Sequence, residues 1–155
     1  MLGLCYSAGW GVAQDYSECF YWNQKAADQD FDTSFPVLGQ CYYNGQGTEQ
    51  DYNKAAYWFQ KAADRGCDAS YYPLAVCYYN GDGVDQDYTK AVYWLQKASD
   101  NDNVDAQLLL SGCYIAGTGV ERSFDKAAVL LNKAAAQGSE KATELLDVLK
   151  QYGMI

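Results

Sequence analysis

Apolar residues recur along this chain in two interleaved helical patterns, and the pair of patterns repeats every 36 residues. Leu38, Cys41 and Tyr42 fall at i, i+3 and i+4, which puts them on one face of a helix. Gly45 and Gly47 follow, and either can take the left-handed backbone that ends a helix. Asp51 then stands where an N-cap belongs, its carboxylate able to accept the free N–H groups of a second helix. Behind it Ala55, Trp58, Phe59 and Ala62 form an apolar stripe that predicts a filled core, with Lys54 and Lys61 toward the other side. Small residues at 39 and 55 predict that the two helix axes approach closely.

Leu2, Leu38, Leu74 and Leu110 open four copies of the first pattern: LGLCYSAGWGV, LGQCYYNGQGT, LAVCYYNGDGV and LSGCYIAGTGV. The second pattern reads QDYSECFYWNQKAAD, QDYNKAAYWFQKAAD, QDYTKAVYWLQKASD and RSFDKAAVLLNKAAA, with Asp15, Asp87 and Ser123 matching the capping Asp51. One helical hairpin cannot bury its own apolar face, whereas a stack of hairpins shares a continuous core. The predicted fold is therefore all-α: a right-handed α–α superhelix of about four 36-residue helix-turn-helix units, with first helices on its concave side. The units span residues 2–37, 38–73, 74–109 and 110–145, and residues 1–155 form a single repeat domain without linkers. Residues 140–152 predict a capping helix that turns Ala142, Leu145, Leu146 and Leu149 inward, with Lys141, Glu144 and Lys150 away from that face. A first helix that begins near Asp68 or Ala69, before Leu74, implies that the unit opening at Leu2 is truncated, as in a fragment or a trimmed array.

The pattern Leu-Gly-x-x-Tyr-x-x-Gly-x-Gly-Val, then Asp-x-x-Lys-Ala-x-x-Trp and Lys-Ala-Ala, resembles the Sel1-like repeat family, a tetratricopeptide-like α-solenoid with a longer loop between its helices. Departures gather at the ends: Glu18 and Cys19 replace Lys-Ala, and Leu130 replaces Trp. The resemblance implies a concave groove lined by first-helix positions that point away from the core. In the second unit these are Pro36, Gln40, Tyr43 and Asn44; in the third, Tyr72, Val76, Tyr79 and Asn80. The fourth unit supplies Leu108, Gly112, Ile115 and Ala116, and the first only Leu4, Ser7 and Ala8. Asparagine amides can pair with both backbone groups of an extended peptide, and tyrosines are common interface anchors. Packing against neighbouring helices is the competing role for Tyr43 and Tyr79. The implied function is a non-enzymatic scaffold for protein–protein interaction that binds a peptide or partner protein in this groove. The alternative is a structural spacer within a longer array that has no ligand of its own. A monomer or weak self-association is expected.

Charge narrows the partner. A net charge of −9 argues against nucleic acid, whose phosphates require a basic face. No stretch approaches the ~18 continuous apolar residues of a membrane helix. The chain contains no histidine, which removes Ser-His-Asp and Cys-His chemistry. GQGTEQD and GDGVDQD lack the ligand alternation and the bidentate Glu of a calcium loop, and no Gly-Lys-Ser/Thr follows the glycines. Neither a cofactor nor a metal is expected.

Six cysteines remain. Cys5, Cys41, Cys77 and Cys113 share one repeat column, too widely spaced for disulfides if neighbouring helices stand about 8–10 Å apart. They predict small buried hydrophobes, as does Cys19, with a Cys5–Cys19 bridge as the alternative, while Cys67 is the expected exposed thiol. The disulfide-rich Sel1-like subgroup joins the two helices of each repeat, and that regular pairing is absent. Reduced thiols favour a reducing, cytoplasmic compartment, and the sequence names none directly.

Overall fold

Asp15, Asp51, Asp87 and Ser123, all in extended backbone, each turn a side-chain oxygen onto the N–H groups of the helix that follows. A computed structural model describes residues 15–155, and all regular elements among them are helical. The four capped helices are α1 (Tyr16–Ala27), α3 (Tyr52–Asp64), α5 (Tyr88–Asp100) and α7 (Phe124–Ala136), the second helices of the units. The first helices are α2 (Phe35–Asn44), α4 (Tyr71–Asn80) and α6 (Val104–Ala116), and α8 (Glu140–Gln151) closes the series. Helical winding ahead of α4 begins at Asp68, as expected, but as a 3₁₀ turn over Asp68–Ser70. Asp32–Ser34 does the same ahead of α2. Each helix packs on its sequence neighbours, most extensively α2 on α3, α4 on α5 and α6 on α7. Among the described residues no helix is long and apolar enough to cross a membrane.

The core consists of the repeat columns. Leu38, Leu74 and Leu110 are fully buried, with Cys41, Cys77 and Cys113 beside them and Ala55, Ala91 and Ala127 on the second helices. Gly39 meets Phe59 so closely that a Cβ there would lie 2.5 Å from the ring. One unit on, the same two positions hold Ala75 and Leu95, both buried in one cluster. A methyl appears on the first helix only where the aromatic ring on the second has shrunk to an aliphatic side chain, as close packing requires.

The two glycines between helices have different tasks. Gly45, Gly81 and Gly117 are left-handed C-caps whose N–H groups bond the carbonyls of Cys41, Cys77 and Cys113. Gly47, Gly83 and Gly119 are also left-handed, and a Cβ on any of them would collide with the carbonyl of Tyr16, Tyr52 or Tyr88. Each loop thus seats on the start of the preceding unit's second helix. The second glycine sets how closely successive units stack.

Trp58 and Lys61 depart from expectation. Trp58 is only half-buried, tilted against Phe35 with ring centroids 5.4 Å apart. Lys61 folds back over both rings, its Nζ 4.3 Å from the Phe35 centroid and 5.2 Å from that of Trp58, and pairs with Asp30 at 3.6 Å. A long lysine stem can cover an aromatic face while its ammonium stays wet, so the charge closes the edge of the core.

In α8, Leu146 lies 36 residues after Leu110, and Ala142, Leu146 and Leu149 pack on Leu131 and Ala134. This helix therefore occupies a first-helix position. Asp147 falls in the column of Gly39, Ala75 and Ser111, and with Lys150 it is mostly exposed. Apolar inside and charged outside, α8 covers the fourth unit.

Cys19, Cys41, Cys77 and Cys113 are buried and Cys67 is half-buried. Burial pushes the Cys41 and Cys77 thiols up to about 12. Cys5, the proposed Cys5–Cys19 bridge and the truncated opening helix fall on or depend on residues outside those described.

Candidate functional site

First helices carry side chains in three directions, because 3.6 residues per turn cannot place every position against a neighbour. Two directions are consumed by the partner helix and the adjoining units. The third opens several hollows, two of which meet at Tyr72. Gln40, Tyr43, Phe59, Ala69, Tyr72, Pro73, Val76 and Asn103 surround a cavity of about 360 Å³. Tyr72, Tyr79, Asp105, Leu108, Leu109, Gly112, Lys141 and Leu145 surround a second of about 340 Å³. Tyr72 lines both and forms the wall between them.

Of the residues singled out in the sequence, Gln40, Tyr43, Tyr72 and Val76 meet in the first hollow and Tyr72, Tyr79, Leu108 and Gly112 in the second. Asn44 and Asn80 are exposed at the last residue of their helices rather than in the hollows. Their amides donate locally, Asn44 to Gln46 Oε1 at 3.4 Å and Asn80 to Asp82 Oδ2 at 3.0 Å. Ile115 turns toward the cluster of Leu131, Leu146 and Leu149, and Leu108 shares that contact. Pro36 lines a neighbouring hollow of about 280 Å³ together with Gln40, Ala116 is exposed, and Leu4, Ser7 and Ala8 lie outside the described residues.

The tyrosines are held rather than loose. Tyr43 packs edge-on against Tyr52 at 5.1 Å, and its hydroxyl donates to Asp82 Oδ2 at 2.8 Å, across the unit boundary. Burial and the Asp82 carboxylate both push its hydroxyl pKa well up, so it stays a hydrogen-bond donor. Tyr79 repeats the arrangement against Tyr88 at 5.2 Å. Gln50 and Gln86 fasten the ends of these helices, donating to the carbonyls of Tyr43 and Tyr79 at 2.8 and 2.9 Å. Burial raises the pKa of Tyr72 too, with a smaller contribution from Asp105. Half-buried, fixed rings of this kind offer contact area with little entropy left to lose.

Several lining residues were not singled out in the sequence. Phe59 reaches in from a second helix, where the missing Cβ at Gly39 leaves room for its buried ring. Ala69, Asp105 and Lys141 share one column of the 36-residue frame, as do Pro73, Leu109 and Leu145. Extending the frame to the turn before each first helix, and onward into α8, would have found both sets.

A description of the Sel1 repeat matches residues 1–31, 37–67, 69–103 and 104–139. Among solved structures, a Sel1 repeat protein from Oxalobacter formigenes superposes with a TM-score of 0.86 at 30% identity, over 97% of this chain and 62% of that one. A protective antigen of uropathogenic Escherichia coli, c5321, which displays an SLR fold, gives 0.66 at 28% identity over 99% of this chain and 40% of its own. Helicobacter pylori cysteine rich protein B gives 0.66 at 24% identity, covering 86% of this chain and 96% of that one, a likeness of fold. This chain therefore spans less than two thirds of the first two proteins. No protein of curated function is a significant match. With four matched segments that together take in most of its length, the chain belongs to the Sel1 repeat family.

Proposed function

We infer that this chain is a non-enzymatic scaffold that holds a peptide segment of a partner protein along the face built by its first helices. Sel1-repeat proteins are in general protein-interaction scaffolds. The observation that carries the reading is the pair of adjoining hollows walled by Tyr72, with Tyr43 and Tyr79 fixed on either side. Two consecutive hollows suit successive side chains of one extended segment better than a single compact ligand. Exposed Gln40 adds an amide beside the first hollow for a peptide backbone group.

The test is a selection of random 12-residue peptides on the full chain, followed by amide chemical-shift mapping of the peptides recovered. Shifts should gather on α2, α4 and α6, and Tyr72→Ser should weaken binding while leaving the helical circular dichroism intact. Shifts on the outer side of α3 and α5, or binding indifferent to Tyr72→Ser, would overturn the assignment. A structural spacer would recover no peptide.

A further inference from the structure

We propose that the first hollow is a seat for a lysine or arginine side chain, so that the partner segment is basic and lies extended across Tyr43 and Tyr72. This rests on the reading that the first-helix face binds a peptide. The starting observation is a segregation of charge. Lys25, Lys61, Lys97 and Lys133 form one column of the second helices, and Lys54, Lys90 and Lys126 another. The first helices α2, α4 and α6 contain no lysine or arginine, and none has a basic residue in its last turn. The carbonyl ends of α2 and α4 are closed by neutral donors, the glycine N–H groups and the amides of Gln50 and Gln86, whereas Arg122 takes the glutamine position at the end of α6. Asp82 stands at that edge, bound to the Tyr43 hydroxyl and the Asn80 amide. Asp105 stands in the neighbouring hollow.

The aromatic rings point the same way. On the outer side the chain supplies its own cations to its tyrosines: Lys54 lies over Tyr42 at 5.2 Å, Lys90 over Tyr78 at 5.2 Å and Lys126 over Tyr114 at 5.4 Å. One residue further along α2 and α4, the inward rings of Tyr43 and Tyr79 differ. Among the described residues no lysine or arginine lies over Tyr43, Tyr72 or Tyr79. A cation placed there would meet the tyrosine rings, with its methylene stem along Pro73 and Val76, while Asp82 on the Tyr43 hydroxyl and Asp105 in the adjoining hollow supply the negative charge. Among the described residues Lys141 is the one cation lining either hollow, and it lines the second. It directs a partner's positive charge to the first hollow and leaves the Leu108–Leu145 side to an aliphatic residue.

The selection of random peptides described above tests this when its products are sequenced and rebuilt as fluorescein-labelled peptides for polarisation titrations. Lysine and arginine should be enriched over aspartate and glutamate, and replacing the key cation by Gln should weaken binding. Asp82→Asn with Asp105→Asn should lower affinity roughly fivefold, the effect of two partly exposed charge pairs. Asparagine at 82 still accepts from the Tyr43 hydroxyl, so the fold is preserved and unchanged thermal unfolding checks it. Asp64→Asn with Asp100→Asn removes the same net charge from the second helices and should change affinity far less. Equal losses from the two pairs would sink the proposal, because attraction would then be a property of the whole acidic surface. Neutral or acidic peptides that map to α2 and α4 would overturn the basic seat and leave the groove standing. Peptides indifferent to Tyr72→Ser, or no peptides at all, would remove both.

Discussion

Within each unit, the second helix is written almost the same way every time and the first is not. Second helices begin on a side-chain cap, carry the lysine columns and pack an alanine against the partner helix. In α2 and α4 no side chain caps the helix: Ser34 and Ser70 turn back and donate to the carbonyls of Phe31 and Cys67 at 2.6 Å. Those helices start instead from a 3₁₀ turn and end on a left-handed glycine. The difference follows from the neighbours. A second helix must receive the glycine loop of the next unit on its first turn, so its start is fixed in both geometry and sequence. A first helix is held by its buried leucine and cysteine columns, which frees its remaining side to vary.

The sharpest test of that division is the loop contact. Gly83→Ala should cost about 3 kcal/mol or more in urea unfolding, since the methyl meets the Tyr52 carbonyl and the backbone is left-handed. Gly138→Ala, equally left-handed but with nothing within 4 Å of its Cβ, should cost only about 1 kcal/mol. If the two losses were equal, stacking of units would not depend on the second glycine.

Next comes the contact between the two helix types inside a unit. Gly39→Ala should cost about 1–3 kcal/mol through overpacking on Phe59. Phe59→Leu in the same chain should recover part of that loss, because it recreates the Ala75–Leu95 pair. A double-mutant cycle should show coupling between the two substitutions, and additive losses would break the explanation.

The caps predict a smaller, pH-dependent effect. The N–H of Lys54 holds the Asp51 carboxyl below its ordinary value of 3.8, and the Arg65 guanidinium does the same for Asp30. A depressed folded-state pKa adds stability that is complete above the unfolded value and lost as pH falls through the folded one. Thermal unfolding should therefore fall off below about pH 4, and Asp51→Asn should shrink that acid limb while a first-helix Ser70→Ala leaves it unchanged.

The smallest effect concerns the thiols. Iodoacetamide on the native protein, followed by peptide mass spectrometry, should label Cys67 well ahead of Cys41, Cys77 and Cys113. Burial raises the pKa of all four, with Cys41 and Cys77 pushed highest, to about 12. Cys67→Ser should leave stability nearly unchanged.

The helices, their caps and the buried columns could be read in advance because each depends on residues close in sequence. Asp51 caps the helix that starts next to it, and Leu38, Cys41 and Tyr42 share a face by spacing alone. Trp58 was harder: its column looks like core, but it stands at an edge where Phe35 and Lys61 meet it from outside its own helical stripe. For the groove, the 36-residue frame indicated Gln40, Tyr43, Tyr72 and Val76, which line one hollow, but did not separate them from Asn44 and Asn80 at the rim. Ile115 looked equivalent to Tyr43 and Tyr79, yet α8 draws it into the last core cluster.

The sequence by itself determined that this chain is a stack of capped helical hairpins with leucine, cysteine and alanine columns inside. Periodicity and capping are local rules, repeated here in several copies. Only the tertiary structure decided how Phe59 enters the hollow and that Asp82 belongs to Tyr43 of the preceding unit. Those contacts join residues about 20 to 40 positions apart, and their geometry follows from how closely the glycines allow neighbouring helices to approach.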